Sequence, residues 1–289
     1  MTKRSRWIAK KLARGAVSVG SWVGGQFGST PQNCAQPRLR VLTYHGFGPR
    51  ERDPFCVAPA DFDRQMGFLA RTGRAVSLDR VHAFLAGKGT ALPDGAVLVS
   101  IDDGLRSTLT EAMPILRAHG IPAVAFVTPG LLTDRAGRSE VKPYVQPPEP
   151  YLTWDELAAL AEGGIAIGSH GWSHRSLARM DPAEAEEEGR KSRAALEGFL
   201  ARPITSLAYP FGTRADYSVE VGAALKRCGY ISAFTSQHGP IVAGAGAFEL
   251  PRIKVEGGEG LWMFRLLTRG GMDAWSWVDK RLWRIQASQ

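Results

Sequence analysis

From Arg38 onward, short apolar runs rich in β-branched residues alternate with longer stretches in which apolar positions recur every three or four residues. The first pattern has the length and breaker-bounded form of strands, the second the period of helices. The runs at 39–44 ("LRVLTY"), 96–102, 123–128, 165–169, 206–210, 231–235 and 248–255 predict strands. The stretches at 60–72, 78–88, 108–119, 154–163, 181–201 and 217–228 predict helices. "GIPAVAFVTPG" is nearly continuous in apolar residues between breakers, as a parallel strand covered on both faces should be. The helix at 181 has the clearest start: Asp181 as N-cap, Pro182 at the first helical position, and Glu184, Glu186, Glu187 and Glu188 toward the positive end. Strands alternating with helices predict an α/β fold with a parallel sheet; periodicity does not separate an open sheet from a closed barrel. Residues 129–153, rich in Pro and Gly, predict a long functional loop over one mouth of the sheet.

Composition adds little to this picture, but charge does. The chain has 289 residues, 44% hydrophobic and 22% charged, which predicts an ordinary soluble core. The net charge of +8 is concentrated at the N-terminus, where Lys3, Arg4, Arg6, Lys10, Lys11 and Arg14 occur with no acid among them. The body is therefore only mildly basic, which argues against a nucleic-acid surface spread over it. The following "AVSVGSWVGG" is a weak match to a signal peptide, with several Gly and Ser, no Leu and no clear A-x-A site. No stretch reaches the ~18 apolar residues of a spanning helix. Residues 1–28 fit two descriptions: a basic extension touching an anionic membrane face, or a solvated tail. The expected location is cytoplasmic, or peripheral at the inner membrane face, rather than secreted. Cys34, Cys56 and Cys228 are odd in number and lack metal-site spacing, so at most one disulfide is possible.

The polar residues that stand out fall at predicted strand ends. The first strand ends in Tyr44-His45, the second in Asp102-Asp103-Gly104, the fourth runs into "GSHGWSH", and the fifth ends in "AYPFG". In parallel α/β folds functional groups gather at the C-terminal ends of the strands. His170 and His174 are spaced i, i+4, which on a helical turn puts both imidazoles on one face. Two His and one carboxylate suit zinc and similar divalent cations and leave positions open for water and substrate. A cation also accounts for two adjacent aspartates: one serves as its ligand and the other stays free as a general base. His82 and His119 sit in helical patterns away from strand ends and read as structural or surface residues.

These residues resemble the polysaccharide deacetylases of the NodB-homology, carbohydrate esterase family 4 type. "SIDDG" is similar to that family's T/S-F-D-D-G motif, "SHGWSH" to its H-S/T-x-x-H motif, and "AYPFG" to its R-P-P-Y-G motif. The resemblance spans roughly 38–255 and is nearest to members resembling poly-N-acetylglucosamine deacetylases, which share "YPFG" and an early "YH". It implies a distorted (β/α)7 barrel and hydrolysis of an N-acetyl amide on an N-acetylglucosamine-containing glycan. By the same resemblance Asp103, His170 and His174 would bind a divalent metal, zinc first, with cobalt or nickel as options. Asp102 would be the base, the Phe211 N–H would help hold the oxyanion, and His45 would be the general acid, with His238 as runner-up. Phe211, Tyr209 and Trp172 offer aromatic faces for sugar stacking. Arg252 would contact substrate or pair with Asp102, replacing the motif Arg whose place Ala208 takes. Gly171 lacks the hydroxyl of the usual Ser or Thr, and no late His motif is evident in "LPRIKV". Two other readings stay open: a catalytically silent glycan-binding relative, and a metallohydrolase of the same fold acting on another amide.

The expected organisation is a basic extension at 1–37, a catalytic domain at 38–258 and a helical segment at 259–289. The last carries Trp262, Trp275, Trp277 and Trp283 among Arg265, Arg269, Lys280, Arg281 and Arg284. It fits a helix packed on the barrel with its Trp face buried, the reading adopted here, or a helix lying in a membrane interface.

Overall fold

The computed structural model describes residues 38–49, 55–89, 91–143, 147 and 149–286, with backbone alone for 282–286. The basic extension, Cys34 and the side chain of Trp283 therefore lie outside what is described. The strands are β1 (Arg40–Tyr44), β2 (Val97–Ile101), β3 (Ala123–Val127), β4 (Ala166–Ser169), β5 (Ser206–Ala208), β6 (Ser232–Phe234) and β7 (Ile253–Lys254). All pair in parallel, in the order β6-β5-β4-β3-β2-β1-β7. The sheet curls into a distorted (β/α)7 barrel. Its seam is a single segment: Leu250 bridges Phe234 at one edge, and Ile253 pairs Leu42 at the other. The predicted strand 248–255 shrinks to two residues because Pro251 has no N–H to donate and the chain changes partner there.

The predicted helices appear as α1 (Pro59–Thr72), α2 (Leu78–Leu85), α3 (Met113–Ala118), α4 (Trp154–Glu162), α5 (Pro182–Leu200) and α6 (Val219–Arg227). The region predicted as one helix from 108 to 119 instead opens with a π turn, Thr108–Ala112, in which the Met113 N–H reaches back to Thr108 O. Pro114, with no N–H, sits in the first turn of α3. Asp181 caps α5 as expected, accepting from the Ala183 N–H at 2.9 Å.

Both faces of the strands are buried, and the period of two along each strand sorts side chains into two layers. Leu42 and Tyr44, Val97, Val99 and Ile101, and Ala123, Ala125 and Val127 face outward onto helices, packing with Phe62 and Met66 of α1, Leu157 of α4 and Leu196 of α5. Leu39 and Val41, Leu98, Val124 and Phe126, Ala208 and Phe234 face inward. Only α2 joins them, through Leu78 and Val81, closing the N-terminal mouth of the barrel. There His82 Nε2 lies 2.9 Å from Ser206 Oγ and 3.1 Å from Ser232 Oγ, a structural role as expected. His119 pairs with Asp63 at the surface.

Beyond the strands, α7 (Leu261–Thr268) and α8 (Ser276–Gln286) follow. α7 buries Met263, Phe264 and Leu267 in the outer core, with Phe264 edge-on to Phe68 at 6.0 Å. The expected burial of the Trp face is corrected. Trp262 is 59% exposed, because the positions facing the core on α7 are held by smaller apolar side chains; Trp277 on α8 is 54% exposed, and Trp275 packs partly against the core. Cys56 and Cys228 are free thiols.

Phe62→Ala, which removes a ring stacked edge-on to Tyr44 at 5.0 Å, is expected to cost about 3–5 kcal/mol of unfolding free energy. Asp181→Ala should cost only about 1 kcal/mol as a lost cap. Urea denaturation of both variants checks the ordering; equal losses would contradict the packing described.

Candidate active site

The same alternation that builds the core aims the polar strand ends. Thr43 and His45 continue the inward set of β1, and Ser100 and Asp102 that of β2, so Asp102 turns into the barrel. It is buried. Arg252, also buried and just ahead of β7, grips it with two parallel bonds: Nη1 to Oδ1 and Nη2 to Oδ2, both 2.7 Å. Arg252 is itself held by Nε donating to Thr235 O at 2.9 Å. Burial pushes the Asp102 carboxyl up, but the Arg252 charge, with help from His170, outweighs it and leaves the group below its usual range. This bidentate geometry is the strong form of a charge-assisted pair.

Asp103 reaches the mouth by a different device. Its φ is 76°, in the left-handed region, and Gly104 follows at 76°. Two successive residues of this kind turn the chain out of β2, and the Asp103 carboxylate meets His170 and His174. Its Oδ1 lies 3.5 Å from His170 Nε2 and 3.4 Å from His174 Nε2. Opposing burial, hydrogen bonds from both imidazoles hold the Asp103 carboxyl well below its ordinary value.

The two histidines do not share a helical turn, contrary to the expectation from their spacing. They lie in a loop after β4 that turns at Gly171, φ 74°, and His174, φ 59°, which places the rings 4.9 Å apart edge to face. His170 Nδ1 donates to Ala208 O at 2.7 Å, so loss of the Nε2 proton leaves that nitrogen's lone pair turned to the aspartates, in place for a cation. Burial acts against a proton on His170, but Asp102 and Asp103 outweigh it and raise its pKa. The three donor atoms of Asp103, His170 and His174 lie within 4.8 Å of one another. Ligands about 2.0–2.1 Å from a tetrahedral zinc sit about 3.3–3.4 Å apart, close to the two separations measured. Charge, tautomer and spacing thus fit a divalent cation. Asp102 Oδ2, 4.0 Å from His170 Nε2, stands next to this triangle.

The sequence model of the family described as Polysaccharide deacetylase matches residues 89–232, from just ahead of β2 to the start of β6. The chain belongs to the polysaccharide deacetylase family. It is 23% identical over 221 residues to YxkH of Bacillus subtilis (strain 168), covering 76% of this chain and 72% of that one. It is 30% identical over 113 residues to the poly-β-1,6-N-acetyl-D-glucosamine N-deacetylase of Escherichia coli (strain K12), covering 38% of this chain but 16% of that protein. Among solved structures, the Streptococcus pyogenes deacetylase PplD in complex with acetate superposes with a TM-score of 0.69 at 22% identity, covering 82% of this chain and 99% of that one. IcaB from Ammonifex degensii superposes at 0.67 and 21% identity, covering 81% and 97%. The deacetylase is accordingly a hydrolase with this family's barrel.

The structure separates the other expected site residues of the deacetylase. Arg252 is 1% exposed and fully engaged with Asp102, so it is a counter-charge rather than a substrate contact. Tyr209 points outward by the strand period, stacks on Tyr217 at 5.4 Å and donates to Phe248 O; it belongs to the outer core. Trp172 is 8% exposed, with the Lys191 ammonium 3.7 Å over its ring, and lines a surface pocket against α5 with Arg175 and Glu184. Phe211 is at the mouth, 45% exposed and 5.0 Å from the His174 ring. The Gly212 N–H donates to Pro210 O, wrapping a three-residue turn about Phe211 at φ 62°. Among the described residues no acceptor takes the Phe211 N–H.

The two candidate acids separate clearly. His45 is half-buried on the inward face of β1, and its Nδ1 is buried without a partner. Burial, then the Lys254 charge, lowers its pKa to about 4, against the pull of Asp103 and Asp102. His238 is instead held by Asp279 of α8 at 2.9 Å, in a separate pocket with Arg214, Tyr217 and Lys280. Two neighbours of the site escaped the sequence. Tyr151, at the end of the 129–153 loop, bridges Leu105 beside the DDG turn. Burial and then Asp103 raise its phenol pKa. Glu188 of α5 binds the histidine loop.

Arg252→Leu strands a buried carboxylate and should lower stability by about 3–5 kcal/mol. Arg252→Leu with Asp102→Asn should recover part of that loss, because the stranded charge is gone. Thermal unfolding of the single and double variants checks the cycle, and a merely additive double would refute it.

Proposed function

We propose that the chain removes N-acetyl groups from an N-acetylglucosamine polysaccharide, with Asp103, His170 and His174 holding a divalent cation, zinc first. The observation that carries this is the triangle of donor atoms with a second, arginine-clamped carboxylate at its edge. The likeness to the Escherichia coli enzyme supports the glycan.

When bound, the cation would supply Lewis-acid polarisation of the acetyl carbonyl and of water. The chain does the rest. Asp102 accepts the proton of the attacking water. Arg252 keeps that carboxylate ionised and aimed, using one side of each oxygen and leaving the other free. The Phe211 N–H, fixed by its tight turn, donates to the oxyanion as charge develops on the acetyl oxygen. His45 returns a proton to the leaving amine. Because its environment keeps the imidazole neutral at rest, the proton it passes on is the one taken from the attacking water, which Asp102 gives up as the C–N bond breaks. The tetrahedral carbon then loses its C–N bond, giving acetate and a free amine.

The test is acetate release from β-1,4 and β-1,6 N-acetylglucosamine oligomers after chelation and reloading with zinc, cobalt or nickel. Asp103→Ala should abolish cation binding in calorimetry, and Asp102→Asn should bind the cation but lose turnover. His45→Ala should lose about 10²–10⁴ in kcat with cation affinity kept, while His238→Ala stays near wild type. A folded wild type that binds none of these cations would sink the proposal and favour a silent glycan-binding relative.

A peripheral contact with an anionic membrane, at its inner face, is part of the proposal. α7 exposes Trp262 and Arg265, with exposed Arg269 just after it, and α8 exposes Trp277, Lys280 and Arg281. The Arg281 guanidinium sits 5.1 Å over the Trp277 ring. Asp273 pairs with Arg40, and Asp279 is buried against His238. Such aromatic and basic faces suit anionic headgroups. Sedimentation with phosphatidylglycerol vesicles should fall for Trp277→Ala/Arg281→Ala, and binding to neutral vesicles alike would refute the electrostatic part.

A further inference from the structure

The loop from His170 to His174 has to hold two imidazoles on one carboxylate, yet its own sequence contributes little rigidity. Gly171 has no side chain, and both it and His174 sit at positive φ. A non-glycine residue there costs of order 1–3 kcal/mol and persists only when its surroundings over-determine it. The surroundings are one face of α5. Glu188 Oε2 accepts from the Trp172 N–H and the Ser173 N–H, both at 2.9 Å, and its Oε1 accepts from Ser173 Oγ at 2.6 Å. Four residues on, Ser192 Oγ lies 2.7 Å from Ser169 Oγ, which in turn accepts from the Gly171 N–H at 3.2 Å. Positions i and i+4 of a helix share a face, so α5 grips the loop at both shoulders. Trp172 O accepts from the Gly130 N–H at 3.0 Å on the far side.

We infer that Glu188 is a positioning residue for the cation site: its carboxylate fixes two of the three residues bracketed by His170 and His174 and thereby sets the separation of the two imidazoles. Its neighbours on α5 do not do this. Glu187 is exposed and pairs with Arg190, and Glu186 pairs with Arg227. A carboxylate is suited to the task because each oxygen can take more than one donor, and a single Glu oxygen here binds two successive backbone N–H groups. This inference rests on the reading of Asp103, His170 and His174 as cation ligands.

The experiment is titration of the chelator-stripped full chain with Co²⁺, following both the binding isotherm and the visible spectrum of the bound ion. Glu188→Ala should weaken Co²⁺ affinity by about 10–100-fold, the usual effect of removing a group that orients ligands. It should also alter the spectrum, which a loss of global stability alone would not do. Glu188→Gln keeps an amide oxygen for the two backbone donors and should fall between wild type and Glu188→Ala. Glu188→Asp, a methylene short, should fold and bind weakly, which keeps the test open if the alanine variant does not fold. Glu187→Ala should match wild type. Folded Glu188→Ala and Glu188→Asp proteins that bind Co²⁺ as tightly as wild type, with the same spectrum, would overturn the inference. A wild type that binds no Co²⁺ would overturn the ligand reading itself, a separate and recognisable result.

Discussion

The site depends on one buried ion pair. Asp102 and Arg252 lie 150 residues apart in sequence and meet inside the barrel with both oxygens and both terminal nitrogens engaged. Neither partner is tolerable there alone, since an unpaired buried charge costs several kcal/mol. Their pairing fixes the end of β2 against the segment that leads into β7. Arg252 sits between Leu250, which touches β6, and Ile253, which pairs with β1. Closure of the barrel and ionisation of the proposed base are therefore two readings of the same contact.

Much of the fold could be read from the chain because it rests on local periodicity. The seven strands and six helices all appear near their expected places, and the errors fall at prolines. Pro251 cuts the last strand to two residues, and Pro114 splits a predicted helix. The DDG turn and the two histidines were legible as chemistry because charged residues at the ends of apolar runs demand an explanation, whereas Arg252 was legible only through the resemblance. The period of two, applied further, separates Tyr209 from the site: Ala208 faces the interior, so its neighbour faces the helices.

What was not legible comes from backbone conformation and tertiary reach. Asp103, His174 and Phe211 are three of the four non-glycine residues with positive φ among those described. Nothing in their residue types announces this, and the spacing of His170 and His174 suggested a helical turn that does not exist. Glu188 was legible only as one acid among several near a helix start; its role appears only once the loop after β4 folds back on α5. The exposed Trp262 and Trp277 likewise follow from which face of each helix meets the core.

The floor of the barrel carries a consequence of its own. With α2 laid across the N-terminal mouth and His82 tied to the serines that begin β5 and β6, the interior below the site is packed shut by apolar side chains. Whatever reacts at its rim enters and leaves through one opening. A small product released there has no rear exit, so it departs on the open side, past the exposed Phe211. On the proposed polysaccharide, turnover would then favour stepwise release, the small fragment waiting on the movement of the large one.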